Sequence, residues 1–340
     1  MDHGLSHDEY HASTQILREK QWQQNRNLYW RQPTVFGPMP GPRQDFHGNS
    51  HLSSSSSSSS MTATIKFKTS ATLLRTLFPN SSYRFNKPDT VAQASFSVQT
   101  LKNMAWLGGG SYDLLGFYIH DVQYTTHSGE TLHGSYCPVM FENLTDPILS
   151  GREELGYPKL YSDISVTPRD DADANDVEAR IAWRGAEWAT FHWRSLTDQA
   201  QQQPSRTGVS QNGAHQDDDD VKDNNSHNQE GMFVHKCIPA SDGAERAQRR
   251  ADAEYDVFIP AVETGGTRTK RVRKAEHAEF KFEDLGFERL PTLHHIVSRL
   301  AEIPVFEVVE ASLVEADGVG DLSGARRIEA MGDGQGKPVS

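Results

Sequence analysis

Cysteine is nearly absent: the chain has two, Cys137 and Cys237, in 340 residues. Two thiols cannot frame a disulfide scaffold, so a reducing compartment, the cytosol, is expected. Positive charge is also short. Lys and Arg number 34 against 46 Asp and Glu, a formal net charge of -12, which counts against nucleic acid and anionic membrane as partners, because surfaces that hold phosphate are basic. No stretch approaches the roughly 18 apolar residues of a membrane span. The N-terminus, MDHGLSHDEYHAS, lacks a basic segment followed by an apolar run, so no export signal is recognisable. Apolar residues make up 36%, below the roughly 45–50% usual for globular chains, and mean hydropathy is -0.66. A good part of the chain is therefore expected outside any core. Also missing are GxGxxG, GxxxxGK[ST], a βαβ alternation and a GxSxG elbow, which leaves dinucleotide, P-loop and serine hydrolase chemistry without their residues.

What is present is a series of short apolar runs. Residues 1–60 read as a polar extension: a helix over Ser13–Trp30, the Pro/Gly segment PTVFGPMPGPRQ, and the pure serine run Ser53–Ser60, read as a flexible inserted loop with a phosphorylation array as the alternative. From Met61, TATIKFKTS alternates like a strand, and SATLLRTLFP reads as a short helix capped by Ser70 and ended by Pro79. TVAQASFSV, LLGFYIHDVQYTT, LHGSYCPVMFEN, DPILSGRE, LYSDISVT, EARIAWRG and WATFHWRS follow, separated by Gly, Pro, Asn or Asp, the spacing of an antiparallel, β-rich domain. The stretch 198–231, with its run Asp217–Asp220, reads as a disordered insertion. Strand-like runs resume at MFVHKCIPAS, AEYDVFIPAV and HAEFKFED. Between the last two, the basic stretch Arg268–Lys274 (RTKRVRK) reads as a solvated hairpin connection, with a nuclear import signal as the alternative. A helix, LPTLHHIVSRLAEI, and a strand, VFEVVEASLVEA, close the domain, and residues 321–340 read as a flexible tail.

The segment Gly151–Lys159 (GREELGYPK), preceded by GSYCPVMFENLTDPILS, resembles the signature of the acetoacetate decarboxylase family. GPMPGPR near the start, GSYDLLGFYIHDV, and LPTLHHIVSRLAEIPVFEVVEASLVEADGVG agree with the same pattern in the same order, so the resemblance covers most of residues 61–320. It implies a mainly β, closed antiparallel barrel or cone with a few peripheral helices, assembled into homo-oligomers and needing no cofactor or metal. It also implies that Lys159 forms a Schiff base with a β-keto acid. The chemistry explains the need for a lysine. Decarboxylation leaves an electron pair on the α-carbon, and an iminium formed by a neutral amine accepts it as an enamine; this family is a standard example of a desolvated catalytic lysine. An ordinary lysine is neutral about once in 2,500 at pH 7, a penalty of roughly 4.6 kcal/mol. Leu155, Tyr157, Pro158 and Leu160 give Lys159 an apolar sequence setting that favours desolvation. Arg152 and Glu153 read as supporting residues, an ion pair that shapes the loop.

The chain departs from the family pattern in four places. A second lysine often follows the nucleophile, and here that position is Leu160. An acidic residue is expected two positions after the tyrosine of GSYDLLG, where Leu114 stands; Asp113, one residue away, points to the other face of a strand. A further carboxylate on the preceding strand appears as Gln99, and the family arginine has only Arg43 as a nearby candidate. The pocket expected around Lys159 is therefore apolar, with Leu114, Leu115, Met140 and Tyr157, suited to a β-keto acid larger and more apolar than acetoacetate. Two alternatives stay open: a catalytically silent β domain that binds a small apolar ligand or serves in assembly, and aldol or dehydration chemistry through the same iminium. His120, His127 and His133 read as residues of a partly exposed hairpin with no zinc-site spacing. His294 and His295 point about 100° apart on a helix and so cannot share a ligand. Trp183, Trp188 and Trp193 read as core, with a pocket wall as the alternative.

Overall fold

The structure is a computed structural model that describes residues 28–36, 39–40, 58–87, 89–168, 175–199, 230–261, 267–320 and 322–331. Eighteen strands follow in chain order: β1 (Leu28–Tyr29), β2 (Met39–Pro40), β3 (Ser59–Ser70), β4 (Tyr83–Phe85), β5 (Val91–Met104), β6 (Gly110–Thr125), β7 (Thr131–Glu142), β8 (Lys159–Tyr161) and β9 (Asp163–Pro168), then β10 (Val177–Trp183), β11 (Ala186–Arg194), β12 (Thr197–Asp198), β13 (Glu230–Pro239), β14 (Ala251–Pro260), β15 (Arg268–Lys274), β16 (His277–Phe282), β17 (Glu307–Asp317) and β18 (Arg326–Ile328). Five short helices punctuate them, and among the described residues none is long and apolar enough to cross a membrane.

The large sheet runs β12-β15-β17-β3-β5-β6-β7-β13-β14-β18, with β4 also on β6 and β8 also on β7. It is open at both ends and mixed, where the sequence reading expects a closed antiparallel barrel. The reason lies in β7. One edge pairs antiparallel with β6, while the other is shared by two parallel partners, β13 along 133–136 and β8 along 140–142. The parallel β7–β13 contact needs bare backbone: a Cβ on Gly134 would lie 1.9 Å from the Gly231 carbonyl oxygen. A second sheet, β16-β11-β10-β9, packs on one face of the first.

Alternation divides the large sheet into two faces. Ile65, Phe67, Phe96, Val98, Leu115, Phe117 and Phe141 face the small sheet, whose Trp188, Phe191 and Trp193 are fully buried against them. Phe96 stacks on Phe117 at 4.7 Å between ring centres, and Phe141 meets Trp188 at 4.8 Å, distances typical of packed aromatic pairs. Trp188 and Trp193 are core, and Trp183 packs half-buried at its edge. The opposite face carries a smaller cluster, Leu101, Met104, Tyr112, Leu114, Tyr118, Cys137, Met140, Tyr157, Met232, Val234, Val257, Ile259 and Val319.

Several sequence expectations are corrected. Ser58 is buried and Ser59–Ser60 open β3, so the serine run ends inside the sheet, while Ser53–Ser57 lie outside the described residues. Position 198 and positions 230–231 belong to β12 and β13, which trims the insertion at both ends. The tail is ordered further than expected: β18 pairs with β14, and Ala330 bridges Thr126. The basic stretch Arg268–Lys274 is itself strand β15, because Arg268 and Lys270 neutralise Asp317, Arg271 binds Asp198 and Arg273 binds Glu315. Leu28–Tyr29 is extended where a helix over Ser13–Trp30 is expected, and the rest of that helix lies outside the described residues. His120 is buried between Ser95 and Ser135, at 2.9 Å from each hydroxyl, and not part of an exposed turn. Burial, with the charge of Lys66 adding to it, holds its imidazole down to about 3, so it stays neutral.

Candidate active site

The site begins at the end of β7. After Glu142 the chain enters a helix, Thr145–Ser150, which widens into a π turn over Gly151–Leu155. DPILSGRE is therefore helical and not the strand its apolar residues suggest; its polar face is exposed at Thr145 and Asp146, while Pro147, Ile148 and Ser150 are buried. Gly156 ends the turn in the left-handed region, φ 77°, which suits a residue without a Cβ. That reversal sends Tyr157 and Pro158 back along β7, so that Lys159 starts β8 opposite Met140.

Lys159 is 5% exposed, and Glu142 is fully buried. The lysine Nζ lies 2.8 Å from Glu142 Oε1 and donates to the Pro147 carbonyl oxygen at 3.1 Å. Nζ also stands 5.2 Å from the centre of the Tyr157 ring, within cation–π range. The Lys159 side chain rests directly on Gly151, where a Cβ would fall 2.5 Å from Cδ, 2.6 Å from Cε and 2.7 Å from Nζ. The glycine of the Gly-Arg-Glu triplet is thus required by space. Arg152 turns inward and donates to the Lys159 carbonyl oxygen at 2.9 Å, fixing the backbone of the lysine. Glu153 faces solvent and only its carbonyl is engaged, by Lys236. The expected Arg152–Glu153 pair is therefore not formed, since neighbours on a helical turn point about 100° apart. Glu154 is the half-buried acid of the triplet's turn; burial raises its carboxyl above the ordinary value, against the pull of Arg31 at 3.5 Å.

A cavity of about 40 Å³ opens at the lysine, lined by Gln99, Leu101, Tyr112, Leu114, Tyr118, Met140, Glu142, Tyr157, Lys159, Met232, Val319 and Leu322. That volume holds at most a few waters, so a substrate is admitted only as lining side chains move. Gln99, Leu114, Met140 and Tyr157 are gathered here. Leu115 is not: it faces the main core, because adjacent residues of β6 point to opposite sides. Leu160 packs against the same core. Asp113 also faces away and is held by Thr100 and Asn143. Arg43 lies outside the described residues.

Glu142, Tyr118, Tyr112, Leu101 and Met232, together with Val319 and Leu322, are site residues that sequence reasoning missed. Glu142 had a signal. It is the charged residue that ends an apolar strand, two positions after Met140 and so on the same face. Val319 closes the last segment of the family pattern without a role assigned to it, and Leu322 had no signal, coming from the stretch read as a flexible tail. Two weak acids of this cluster stay protonated: burial, then the neighbouring Cys137 thiol, Tyr157 and Glu142, pushes Tyr118 well above its ordinary range, and burial pushes the Cys137 thiol up to about 12 despite Lys159. Cys137 is thus inert as a nucleophile. Among the described residues no three of His, Cys, Asp and Glu converge as a metal-binding set.

A buried lysine in an apolar cavity, placed by a Gly-Arg-Glu turn, is what the sequence resemblance implies, and comparison with known proteins decides the family. The family model for acetoacetate decarboxylase matches residues 47–325. The chain belongs to the acetoacetate decarboxylase family. A solved structure shares the fold, and two others are similar over most of the chain. An acetoacetate decarboxylase matches with a TM-score of 0.50 at 14% identity, covering 80% of this chain and 89% of its own. An acetoacetate decarboxylase-like enzyme from Sphingomonas wittichii RW1 matches with a TM-score of 0.48 at 14% identity over 81% and 93%. MppR, an enduracididine biosynthesis enzyme complexed with pyruvate, gives 0.49 at 12% identity over 79% and 88%. A search of curated protein sequences returns no match. Within the acetoacetate decarboxylase family, this chain carries Leu114 and Gln99 at the positions where the resemblance leads one to expect acids.

Proposed function

We propose that the protein is a Schiff-base enzyme in which Lys159 attacks the ketone of a β-keto acid, and the resulting iminium accepts the electron pair left when carbon dioxide departs. The observation that carries this reading is the placement of Nζ: 5% exposed as a residue, held by the Glu142 carboxylate and the Pro147 carbonyl, and facing a cavity whose lining joins Leu101, Leu114, Met140, Met232, Val319 and Leu322 to Gln99, Glu142 and three tyrosines. Such a lining favours a keto acid whose remainder is apolar, more so than acetoacetate. The cavity's small volume leaves room for few waters, and low hydration strengthens charge interactions at the reacting centre. Arg152 supports the nucleophile from behind through the Lys159 carbonyl, and Glu153 has no part in the chemistry.

The test is covalent trapping. The protein is incubated with β-keto acids of increasing alkyl length, reduced with borohydride and mapped by peptide mass. The expected result is a substrate-sized adduct on the Lys159 peptide, absent in Lys159→Ala, with carbon dioxide released in unreduced samples. An adduct without carbon dioxide would move the reading to aldol or dehydration chemistry through the same iminium. A Lys159 that forms no adduct, and is not acylated at neutral pH by a small amine-reactive ester, would leave a ligand-binding β domain in its place.

A further inference from the structure

We infer that Glu142 is the acid–base residue of the Lys159 site, standing one strand over from where the sequence resemblance expects a carboxylate. The inference rests on the Schiff-base reading and adds the group that moves its protons.

The sheet register makes the substitution geometric. Gln99 of β5 pairs with Leu114 of β6, and Leu114 pairs with Glu142 of β7, so the three positions form one row across three strands. Directly paired residues hold their Cβ atoms about 4.5–5.5 Å apart on the same face. All three line the same cavity. A carboxylate lost from Leu114 and Gln99 is therefore supplied to the same space from the neighbouring strand. On the far side of β7, Lys159 pairs with Met140, which brings Nζ to 2.8 Å from Glu142 Oε1. That is hydrogen-bond distance, the reach a proton-transfer partner needs.

The other groups facing the pair do not compete. Tyr112, Tyr118 and Tyr157 line the cavity and Cys137 lies in the same cluster, and a neutral phenol or thiol is a weaker base than a carboxylate. Among the described lining residues, Lys159 is the cation and Glu142 the anion. The Pro147 carbonyl and the bare Cα of Gly151 hold the lysine chain in place while the proton moves.

The steps balance as follows. Glu142 takes one proton from the ammonium, leaving a neutral amine and a carboxylic acid. The amine nitrogen bonds to the ketone carbon while the C=O π pair moves to oxygen, which takes the proton from Glu142. The carboxylate removes a second proton from the new secondary ammonium. It returns that proton to the hydroxyl as the C–O bond breaks and water leaves, and the nitrogen lone pair forms the iminium. Two protons of the original ammonium end on water and one stays on the iminium nitrogen, opposite a Glu142 that is again ionised. The resting ion pair is thus replaced by an equivalent one.

The experiment uses the full-length protein, 2-butanone as an uncharged ketone probe, and borohydride, and follows the rate of adduct formation on the Lys159 peptide from pH 6 to 10. General acid–base groups contribute about 10²–10⁴-fold. Glu142→Gln, with a wild-type circular dichroism spectrum, is expected to slow trapping by that factor at pH 7. The gap should close toward pH 10, where solvent deprotonates an amine unaided. Leu114→Glu combined with Glu142→Leu, which returns the carboxylate to the neighbouring strand, is expected to recover trapping over Glu142→Leu alone. A Gln variant that traps at the wild-type rate, or is slowed equally at every pH, would overturn the inference and leave Schiff-base formation standing. If Glu142→Gln does not fold, the wild-type profile decides: an internal base gives a shallow rise with pH, whereas a tenfold rise per unit overturns the proposal. No Lys159 adduct in wild type at any pH would overturn the Schiff-base reading itself.

Discussion

Gly151→Ala is the most discriminating single change, because local and tertiary physics predict opposite signs. Gly151 has helical dihedrals, φ -63° and ψ -42°, so on propensity alone alanine should stabilise it by about 0.8–1 kcal/mol. The packing says otherwise. The new Cβ would sit 2.5–2.7 Å from three atoms of Lys159, whereas carbon atoms rest at about 3.5–4.0 Å, so the lysine must move by roughly 1 Å. The side chain is held by Glu142, Pro147 and Tyr157, and a shift of that size breaks those contacts. Overpacking of this kind costs about 1–3 kcal/mol, and each kcal/mol lowers the melting temperature by about 2–4 °C in a domain of this size. A misplacement of about 1 Å at a reacting group costs on the order of 100-fold. The assay is thermal melting with the rate of borohydride trapping at Lys159. Gly243→Ala, at a helical position where the nearest atom to the new Cβ is Arg246 Nη2 at 3.9 Å, is the control: it should leave trapping at Lys159 unchanged and, with no overpacking, should not lower the melting temperature. An alanine at 151 that raises the melting temperature and leaves Lys159 reactivity intact would refute the claim that this glycine exists to seat the lysine.

Three further outcomes are expected. Leu115→Ala should cost about 2–5 kcal/mol as a core truncation and leave trapping kinetics of the folded protein unchanged, while Leu114→Ala should enlarge the cavity and speed trapping of longer-chain ketones; urea melts and a probe series separate the two. Arg152→Ala should loosen the Lys159 backbone and reduce trapping, with Arg152→Lys recovering little, since the guanidinium reaches a carbonyl that a point charge would have to approach differently. The third concerns pH. Asp256 is buried and accepts from Asn80, Tyr83, Tyr124 and His235 at 2.8–2.9 Å. Burial alone would raise its carboxyl, but the hydrogen bonds from His235, Asn80 and Tyr83 outweigh that and lower it below 3.8. Burial alone would lower His235, but Asp256 and Glu254 raise it above 6.5. The Asp256 contribution to stability is thus present above its unfolded value and lost as pH falls through the lowered folded one. The His235 contribution is full below 6.5 and lost as pH rises through the raised folded value. Stability from this cluster should therefore be greatest between about pH 4 and 6.5, and His235→Gln should flatten the decline above pH 6.5 in urea titrations; an unchanged slope would refute the pairing.

The sequence by itself determined the class of the fold and singled out the lysine that the structure buries beside Glu142. Period-two alternation placed Ile65, Phe67, Phe96 and Val98 on one face without any knowledge of neighbours, because side-chain direction in a strand is a local property. The same locality put Leu114 and Asp113 on opposite faces, and the Gly-Arg-Glu to Pro-Lys spacing singled out Lys159. Local reasoning failed where the outcome depended on what lay across a strand boundary. Leu115 was assigned to the pocket though its own alternation with Leu114 excludes it. DPILSGRE looked like a strand because three consecutive apolar residues carry no period, and only packing against β7 and β8 made it a helix. Arg268–Lys274 looked like a loop because its basic residues are neutralised by acids distant in the chain. Tertiary structure alone decided three things: that β7 divides its outer edge between two parallel partners, that residues after β17 return to cover the cavity, and that Glu142 meets Lys159. Each is a contact between segments far apart or differently paired, set by register and crossing connections that no window of the sequence contains.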